Sequence, residues 1–542
     1  MVLKNSFNLV NEFLYYAARQ FRKIYLNSSF YNKKISAIDD KILEYKPSLN
    51  LLDCLIKFEK KKYNIEDFYV NSIWKDKKIK DNDYKKLHSF FWLFTLDLKS
   101  SKKITQSIII NWIEANNKYD VKSWEIDTLS KRIISWISNS KLTYEDSSNE
   151  YKKNFNFIIK KQINHLINEI SRSELLDDKM IGCTAIMLTG LSYNDKKFLN
   201  YGLNLLNKII KFSLNSEFFP KSRNIRQLVF YLKYFVLIRE FLKESQKEIP
   251  EYLDEVIFHL GQAYSYIWQS TKKSFLFNGN YEANHIDFDK YLQMRGYKFK
   301  HTSNEIGGYS ILSNKSISIA MDLGDPPDKK ISYNYQSGPL SFEVFYLGKK
   351  LITNSGYFQD LKHQLNNISR TTAAHSTLVL DNNSISRFRK DSKGNPIVEN
   401  NFKITNKNIF LEKKSWKLKG THDGYQKKYG VVHEREIEFF TELNKINGKD
   451  KLIKKRNFKP TNFEIRFHLV PETKVTKTQD GNAILIELEN SGWRFICKDH
   501  PIDVETGLYF GKKNSFTENQ NIFIYGKTLK EDQMINWEII KI

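Results

Sequence analysis

The apolar residues of this chain change their period once, near its middle, and that change restricts it to folds in which a helical half precedes an all-β half. From about Leu51 to Ser270 they recur at helical spacing, as in Leu228, Leu232, Phe235, Ile238 and Leu242. Residues three and four apart share one face of a helix, so this stripe must be buried against a neighbour. Comparable blocks cover Tyr84 to Leu98, Ile104 to Ala115, Ile126 to Ile137, Tyr151 to Ile170, Leu175 to Leu191, Lys197 to Ile210 and Tyr252 to Trp268. Helices that follow one another with no strand between them pack as a helical array. After about Asn278 the spacing becomes two, as in Ile317, Ile319 and Met321 or Ile484, Ile486 and Leu488, the alternation of strands. Asn278-Gly279, Asn447-Gly448, Asp480-Gly481 and Ser491-Gly492 read as turns, so a large antiparallel sandwich is expected. The expected domains are a helical extension over 1–45, a helical domain over 46–280 and a β-sandwich over 281–542.

At 542 residues the chain is too long for a single core, and 41% apolar with 27% charged residues excludes extended disorder. Lys plus Arg number 86 against 62 Asp plus Glu, a net charge of +24 whose field draws anionic partners. Nucleic acid, an acidic membrane surface and an acidic polysaccharide all fit that sign. The sequence carries no Cys/His array of zinc spacing, helical basic region or RNA-recognition signature, so nucleic acid is not expected. Cys54, Cys183 and Cys497 lie too far apart to suggest a disulfide framework or a thiolate metal site.

Met1 to Lys23 lacks a continuous apolar stretch and a small-residue cleavage site, so a cytoplasmic location is expected, with periplasm or cell envelope as the alternative. No uninterrupted apolar run of about 18 residues suggests a spanning helix. Tyr15 to Tyr25, with Arg19, Arg22 and Lys23, has two readings: a basic amphipathic surface helix, or a helix capping the first domain. The oligomeric state is left open.

The most informative local stretch is Arg370 to Asp381, R-T-T-A-A-H-S-T-L-V-L-D, which sets an arginine and a histidine beside an apolar run. It resembles the Arg-Thr-x-x-His-Asn-Thr signature of the heparinase II/III-like polysaccharide lyase family, with Ser376 where Asn is usual. Ser341 to Tyr357 resembles the hairpin preceding that signature. His422-Asp423-Gly424-Tyr425, His433, Arg435, Arg466-Phe467-His468-Leu469 and Gly492-Trp493 resemble later landmarks. In the helical half Trp124 to Trp136 and Ser222-Arg223-Asn224 match a bacterial subgroup. The resemblance implies an N-terminal incomplete (α/α) toroid followed by a large antiparallel β-sandwich. It also implies a polysaccharide lyase-like activity on a uronate-containing anionic polysaccharide or oligosaccharide, with no cofactor and no tightly bound metal.

β-Elimination removes a weakly acidic proton from C5, beside the uronate carboxylate, and expels the oxygen on C4. It needs a group to neutralise the carboxylate, a base for the proton and an acid for the leaving oxygen. On the family pattern we assign the carboxylate to Arg223 and Asn224, and proton transfer to His375 with a phenol from Tyr335 or Tyr231. Asn334, Gln336, Arg370, His422 and Tyr425 are assigned to the sugar. Structural readings stand beside these: Ser222 or Asn224 as a helix cap, and Arg370 as a buried anchor. Asn334, Gln336 and Gly338 occupy the positions of the family's His-x-His-x-Asp, Asn354 that of a following Asp, and Asp177-Asp178 that of a helical Asn-His. These departures remove metal ligands and the usual histidine base, and they support the alternative of a non-catalytic or repurposed glycan-binding relative in envelope or exopolysaccharide metabolism.

Overall fold

The structure, a computed structural model, describes residues 16–37, 41–55, 74, 79–95, 102–269, 271–301, 303–391, 394–400, 402–489 and 491–542. It divides into two compact units, Met1–Ser213 with Phe230–Ile257, and Leu214–Val229 with Phe258–Ile542. This division differs from the boundary at 280 read from the period change.

The first unit is helical. Its elements are α1 (16–26), α2 (Ser29–Ile35), α3 (Asp81–Ser89), α4 (Lys102–Asn116), α5 (Ile126–Ser138), α6 (Ser140–Thr143), α7 (Asn149–Glu169), α8 (Leu176–Ser192) and α9 (Lys196–Ser213), with most of α10 (Ile225–Glu244) and the start of α11 (Glu251–Tyr264). The apolar block from Tyr84 to Leu98 is not one helix. Phe90 adopts left-handed φ of 57°, ending α3 before a 3-10 turn over Phe91–Thr95. Helices α8 and α9 approach closely because Gly202 has no side chain: a Cβ there would sit 2.3 Å from Met187 Cγ. The Trp124 to Trp136 stretch is core. Trp136 stands edge-on to Trp112 at 5.4 Å, and Arg132 stacks 4.0 Å over Trp112 while donating to the His88 and Ser123 carbonyls at 2.9 Å.

Asp177 and Asp178 lie in the first turn of α8, where the helix dipole favours carboxylates. Burial raises the Asp178 pKa to about 7, helped by Asp127, Glu125 and Asp177. A raised folded pKa means that the stabilising contribution is complete below about pH 4 and is lost as pH rises through about 7. Asp178→Asn is therefore expected to raise stability at pH 8 by about 1–2 kcal/mol, with no gain at pH 4, read from urea midpoints at the two pH values.

The second unit carries helix α12 (Ile286–Met294) and continues as antiparallel β-structure. One sheet runs β1-β2-β3-β4-β5, comprising Glu305–Ile306, Tyr309–Ser313, Ile317–Asp322, Phe342–Tyr346 and Lys349–Ile352. β6 (Leu378–Leu380) joins a four-stranded sheet beside β13 (Asn462–His468), followed by β18 (Thr517–Lys527) and β17 (Ile502–Tyr509). β7 (Phe388–Lys390) and β8 (Pro396–Val398) form a separate ribbon. The eight-stranded sheet runs β14 (Lys474–Lys477), β15 (Ala483–Leu488), β16 (Ser491–Ile496), β19 (Gln533–Lys541), β12 (Lys445–Lys454), β11 (Val431–Phe440), β10 (Ser415–His422) and β9 (Ile404–Leu411). The three larger sheets share one core, which joins Ile319, Phe342, Leu378, Ile437, Ile465, Ile486, Ile522 and Trp537.

Strand β11 shows why the alternation was readable, since from His433 onward its buried and half-buried residues alternate. Asp480-Gly481 turns as expected, with Gly481 at φ 71°. Asn447-Gly448 does not turn, because it lies inside β12, with Gly448 opposite Ile437. A Cβ at Gly448 would fall 2.0 Å from the Trp537 ring, so this glycine makes room for the indole.

Candidate functional site

The Arg370 to Asp381 stretch is mostly a buried turn system. A short helix, α13 (Gln364–Ser369), runs into Arg370, a 3-10 turn covers Thr372–Ala374, and only Leu378–Leu380 is strand, pairing with β13. His375 is buried and its Nδ1 lies 2.8 Å from the Thr371 carbonyl. A carbonyl only accepts, so Nδ1 carries the proton and Nε2 keeps a lone pair. That Nε2 is buried and has no hydrogen-bond partner among the described residues. Burial lowers the His375 pKa to about 4, so the ring is neutral at neutral pH. Gly338 makes its seat: a Cβ there would lie 2.4 Å from His375 Cδ2. His468 is held beside it, Nε2 facing the Ala373 carbonyl at 2.9 Å and Nδ1 facing Ser355 Oγ at 3.1 Å, and burial lowers its pKa to about 3.

Arg370 is the buried anchor of its two readings. Its Nε donates to Asn366 Oδ1 at 2.7 Å, its Nη1 to the Tyr335 carbonyl at 2.9 Å, and its Nη2 to the Tyr333 carbonyl and the Tyr357 hydroxyl. Tyr357 in turn donates to Asn334 Oδ1 at 3.1 Å, and Asn334 is half-buried. Gln336 accepts from Gly279 N at 2.9 Å and donates both amide hydrogens, to the Gly356 and Ser369 carbonyls at 2.9 and 2.6 Å. With both donors used and the side chain fully buried, it does not reach a sugar, which corrects its assignment. The Tyr335 phenol is fully buried, and burial, with Asp322 nearby, pushes its pKa far above that of a free phenol. Tyr231 belongs to the helical unit, where it is buried and stacks on Phe235 at 5.9 Å.

The assignment of Arg223 to a carboxylate is also corrected, whereas the Asn224 Nδ2 is buried without a hydrogen-bond partner among the described residues. Asn224 caps α10, its Oδ1 accepting from Arg226 N at 2.9 Å and Gln227 N at 3.3 Å. Such caps occupy backbone donors that a first turn leaves open. Arg223 has φ of 56° and its guanidinium is spent. It donates to the Gly307, Gly324 and Gly308 carbonyls at 3.1, 3.1 and 3.3 Å and to Asp322 Oδ1 at 2.5 Å, and stacks 4.6 Å over Tyr309. Burial alone would lower its pKa, but Asp322 and Tyr309 outweigh that and raise it. A Cβ at Gly324 would lie 2.2 Å from Arg223 Cζ, so the glycine creates the slot. This anchorage gives the reason that residues 214–229 group with the β-unit.

His422 and Tyr425 are structural as well. His422 Nδ1 accepts from Gly424 N at 3.2 Å, so its Nε2 must donate to His433 Nδ1 at 3.1 Å, and His433 Nε2 then donates to Asp450 at 2.7 Å. Asp450 also binds Arg435 at 2.7 Å and the Trp537 indole at 2.8 Å, and His422, His433, Arg435, Asp450 and Trp537 are all buried. Burial would raise the Asp450 pKa, but Arg435 and His433 outweigh it and hold the carboxyl below its usual range. The Tyr425 hydroxyl faces the Leu378 and Asn383 carbonyls, each at 3.2 Å. Among the described residues, no group of three or more His, Cys, Asp or Glu side chains is placed to hold a metal ion.

What the second unit does present is a basic cleft of about 1320 Å³. Arg387, Arg389 and Lys390 reach it from β7 and its approach, Lys427 and Lys428 from a short helix, α14 (Gln426–Tyr429), and Lys459 from the loop before β13. Arg370 borders it, so seven cations face it against one carboxylate, Glu399. Lys428 is held by Asn383 Oδ1 at 2.6 Å, and among the described residues Arg387, Arg389, Lys390, Lys427 and Lys459 are exposed and form no ion pair. Phe388 and Tyr429 supply aromatic wall, and Phe388 lies 5.5 Å from the Arg370 guanidinium. None of the six cations other than Arg370 was singled out from sequence. R-F-R-K at 387–390 and K-K at 427–428 were the available signals, and only the fold joins them.

Residues 301–538 match the model of the Heparinase II/III-like C-terminal domain. A curated relative, FtsZ-localized protein C of Caulobacter vibrioides, is 27% identical over 213 residues, a match that spans only 36% of this chain and 36% of that protein. Among solved structures, a crystal structure of heparinase III aligns over 94% of this chain and 88% of that one with a TM-score of 0.70 at 15% identity. A heparan sulfate lyase HepC mutant from Pedobacter heparinus aligns over 95% and 87%, with a TM-score of 0.65 at 14% identity. These structures share the fold, a helical toroid followed by a β-sandwich. Residues 301–538 are thus a heparinase II/III-like C-terminal domain, in a chain that has the fold of these lyase structures.

Proposed function

We propose that this polysaccharide lyase-like protein takes a uronate-containing anionic polysaccharide or oligosaccharide in the basic cleft of its C-terminal unit, as a glycan-binding member of its family. The observation that carries this reading is the gathering of seven cations against Glu399 in one cleft. Guanidinium groups offer forked donors to carboxylate or sulfate, and aromatic faces such as Phe388 and Tyr429 suit sugar rings. The heparan sulfate lyase among the similar structures acts, by its name, on a polymer of this charge.

Titration calorimetry with heparin and alginate oligosaccharides tests the reading. Binding is expected and should weaken steeply between about 0.05 and 0.5 M salt, because exposed charges are screened. Arg387→Ala/Arg389→Ala should lower affinity by about tenfold or more while leaving the melting temperature unchanged. Salt-independent binding, or none, would sink the proposal.

A second reading, β-elimination, is favoured by one observation, the neutral His375 with its unshared Nε2 lone pair. In it His375 takes the C5 proton and Tyr335 protonates the oxygen leaving C4. A base with a pKa near 4 is weak at neutral pH, and the Tyr335 phenol is a poor acid, so the geometry favours binding over turnover. Ultraviolet absorbance of the unsaturated product separates the two. Under the elimination reading it grows with the wild type and not with His375→Ala.

A further inference from the structure

Helix α1 is amphipathic in the reverse sense. Its inner side docks within the helical unit through Leu26, which is buried, and through Arg22, which pairs with Glu169 of α7. The next helix holds the same side, with Tyr31 and Ile35 buried and the Tyr31 hydroxyl 2.8 Å from His165 Nδ1. The large apolar residues that a capping helix would bury lie outside instead. Tyr16 is 60%, Phe21 72% and Ile24 68% exposed, and Phe30 at the start of α2 is 69% exposed. At 3.6 residues per turn Tyr16, Gln20 and Ile24 form one row and Ala17 and Phe21 the next, so the exposed residues make a continuous stripe.

The charge around this stripe has one sign. From Tyr16 to Ser36 the sequence contains Arg19, Arg22, Lys23, Lys33 and Lys34 and no Asp or Glu. Arg22 is used by Glu169, while Arg19, Lys23, Lys33 and Lys34 are exposed. Exposed aromatic and aliphatic side chains flanked by cations are what an anionic bilayer surface takes up: the rings and the Ile side chain enter the headgroup boundary, and the cations meet the phosphates. A self-complementary contact with a second copy would set these cations against one another. No helix among the described residues is long and apolar enough to cross a membrane.

We propose that α1 and the start of α2 form a peripheral docking surface for an anionic lipid bilayer, with Tyr16, Phe21, Ile24 and Phe30 as the inserted residues and Arg19, Lys23, Lys33 and Lys34 as the headgroup contacts. This surface is independent of the basic cleft, and it would hold the glycan-binding unit of the same chain at a membrane face.

Co-sedimentation of the full chain with vesicles tests it, using phosphatidylcholine alone and phosphatidylcholine mixed with phosphatidylglycerol. The wild type is expected to pellet with the mixed vesicles and to stay in solution with the neutral ones. Phe21→Ser/Ile24→Ser should lower the apparent partition coefficient by about tenfold or more, and Arg19→Glu/Lys23→Glu by about fivefold or more for each cation. All four positions are exposed, so circular dichroism should show the helical content unchanged. Arg387→Glu/Arg389→Glu should abolish heparin binding and leave vesicle binding intact, which separates this surface from the cleft. Three results would overturn the proposal: no pelleting of the wild type, pelleting lost only in the cleft variant, or a concentration-dependent dimer in sedimentation velocity that Phe21→Ser/Ile24→Ser abolishes.

Discussion

Between about pH 6.5 and pH 5 the C-terminal unit is expected to lose stability at up to roughly 5.5 kcal/mol per pH unit. The cause is four buried imidazoles, His375, His422, His433 and His468, each lowered in pKa with burial as the largest cause. A histidine whose folded pKa lies below its unfolded value contributes fully above about pH 6.5. The contribution is lost as pH falls, because only the unfolded chain then binds the proton. One proton of difference corresponds to about 1.4 kcal/mol per pH unit, and four give the upper figure. For His422 and His433 the tautomers are dictated by the chain of bonds running from Gly424 N to Asp450, so a proton added to either ring must break a buried bond. Denaturant midpoints of the β-unit at pH 7.5, 6.5 and 5.5 check this, and a flat profile would show the rings to be solvated. His468→Gln should reduce the slope by about one proton.

Arg223→Ala is expected to destabilise the protein by about 3–5 kcal/mol, the usual cost of leaving one member of a buried ion pair alone. Asp322 would be left buried with no cation beside it, and the Gly307, Gly308 and Gly324 carbonyls would lose their donor. The same variant discriminates between the two roles considered for this residue. A buried anchor predicts a loss in the unfolding midpoint, with glycan affinity retained in whatever fraction stays folded. A carboxylate ligand predicts the reverse, an unchanged midpoint and a loss of affinity. Asn224→Ala should cost about 1 kcal/mol, the ordinary value of a helix cap, and so provides an internal scale.

The contrast between these residues shows what could be read from the chain and what could not. The period change from 3.6 to two reports burial on one side of an element, a local property, and the helices α4, α5 and α7 to α9 and strands such as β11 and β15 follow it. Glycine signals were harder, because a glycine serves either a turn or a close neighbour. Gly481 turns the chain, whereas Gly448 lies mid-strand under Trp537, a residue far away in sequence. The site followed the same rule. Asn224 as a cap depends only on its own helix and was one of two open readings. The cage around Arg223 required Gly307, Gly308, Asp322 and Gly324 to be brought to it by strands β2 and β3. The cleft is the extreme case, since Arg387, Lys427 and Lys459 come from three separate segments and no local pattern links them.

The seat that Gly338 makes for His375 also bears on how such a protein can change over generations. Any side chain at position 338 would begin 2.4 Å from the imidazole as it now lies. Placing an acid there by one substitution would collide with the histidine, and moving the histidine first would forfeit its bond to Thr371. The two positions have become mutually dependent, so the order in which they mutate decides whether the intermediate folds.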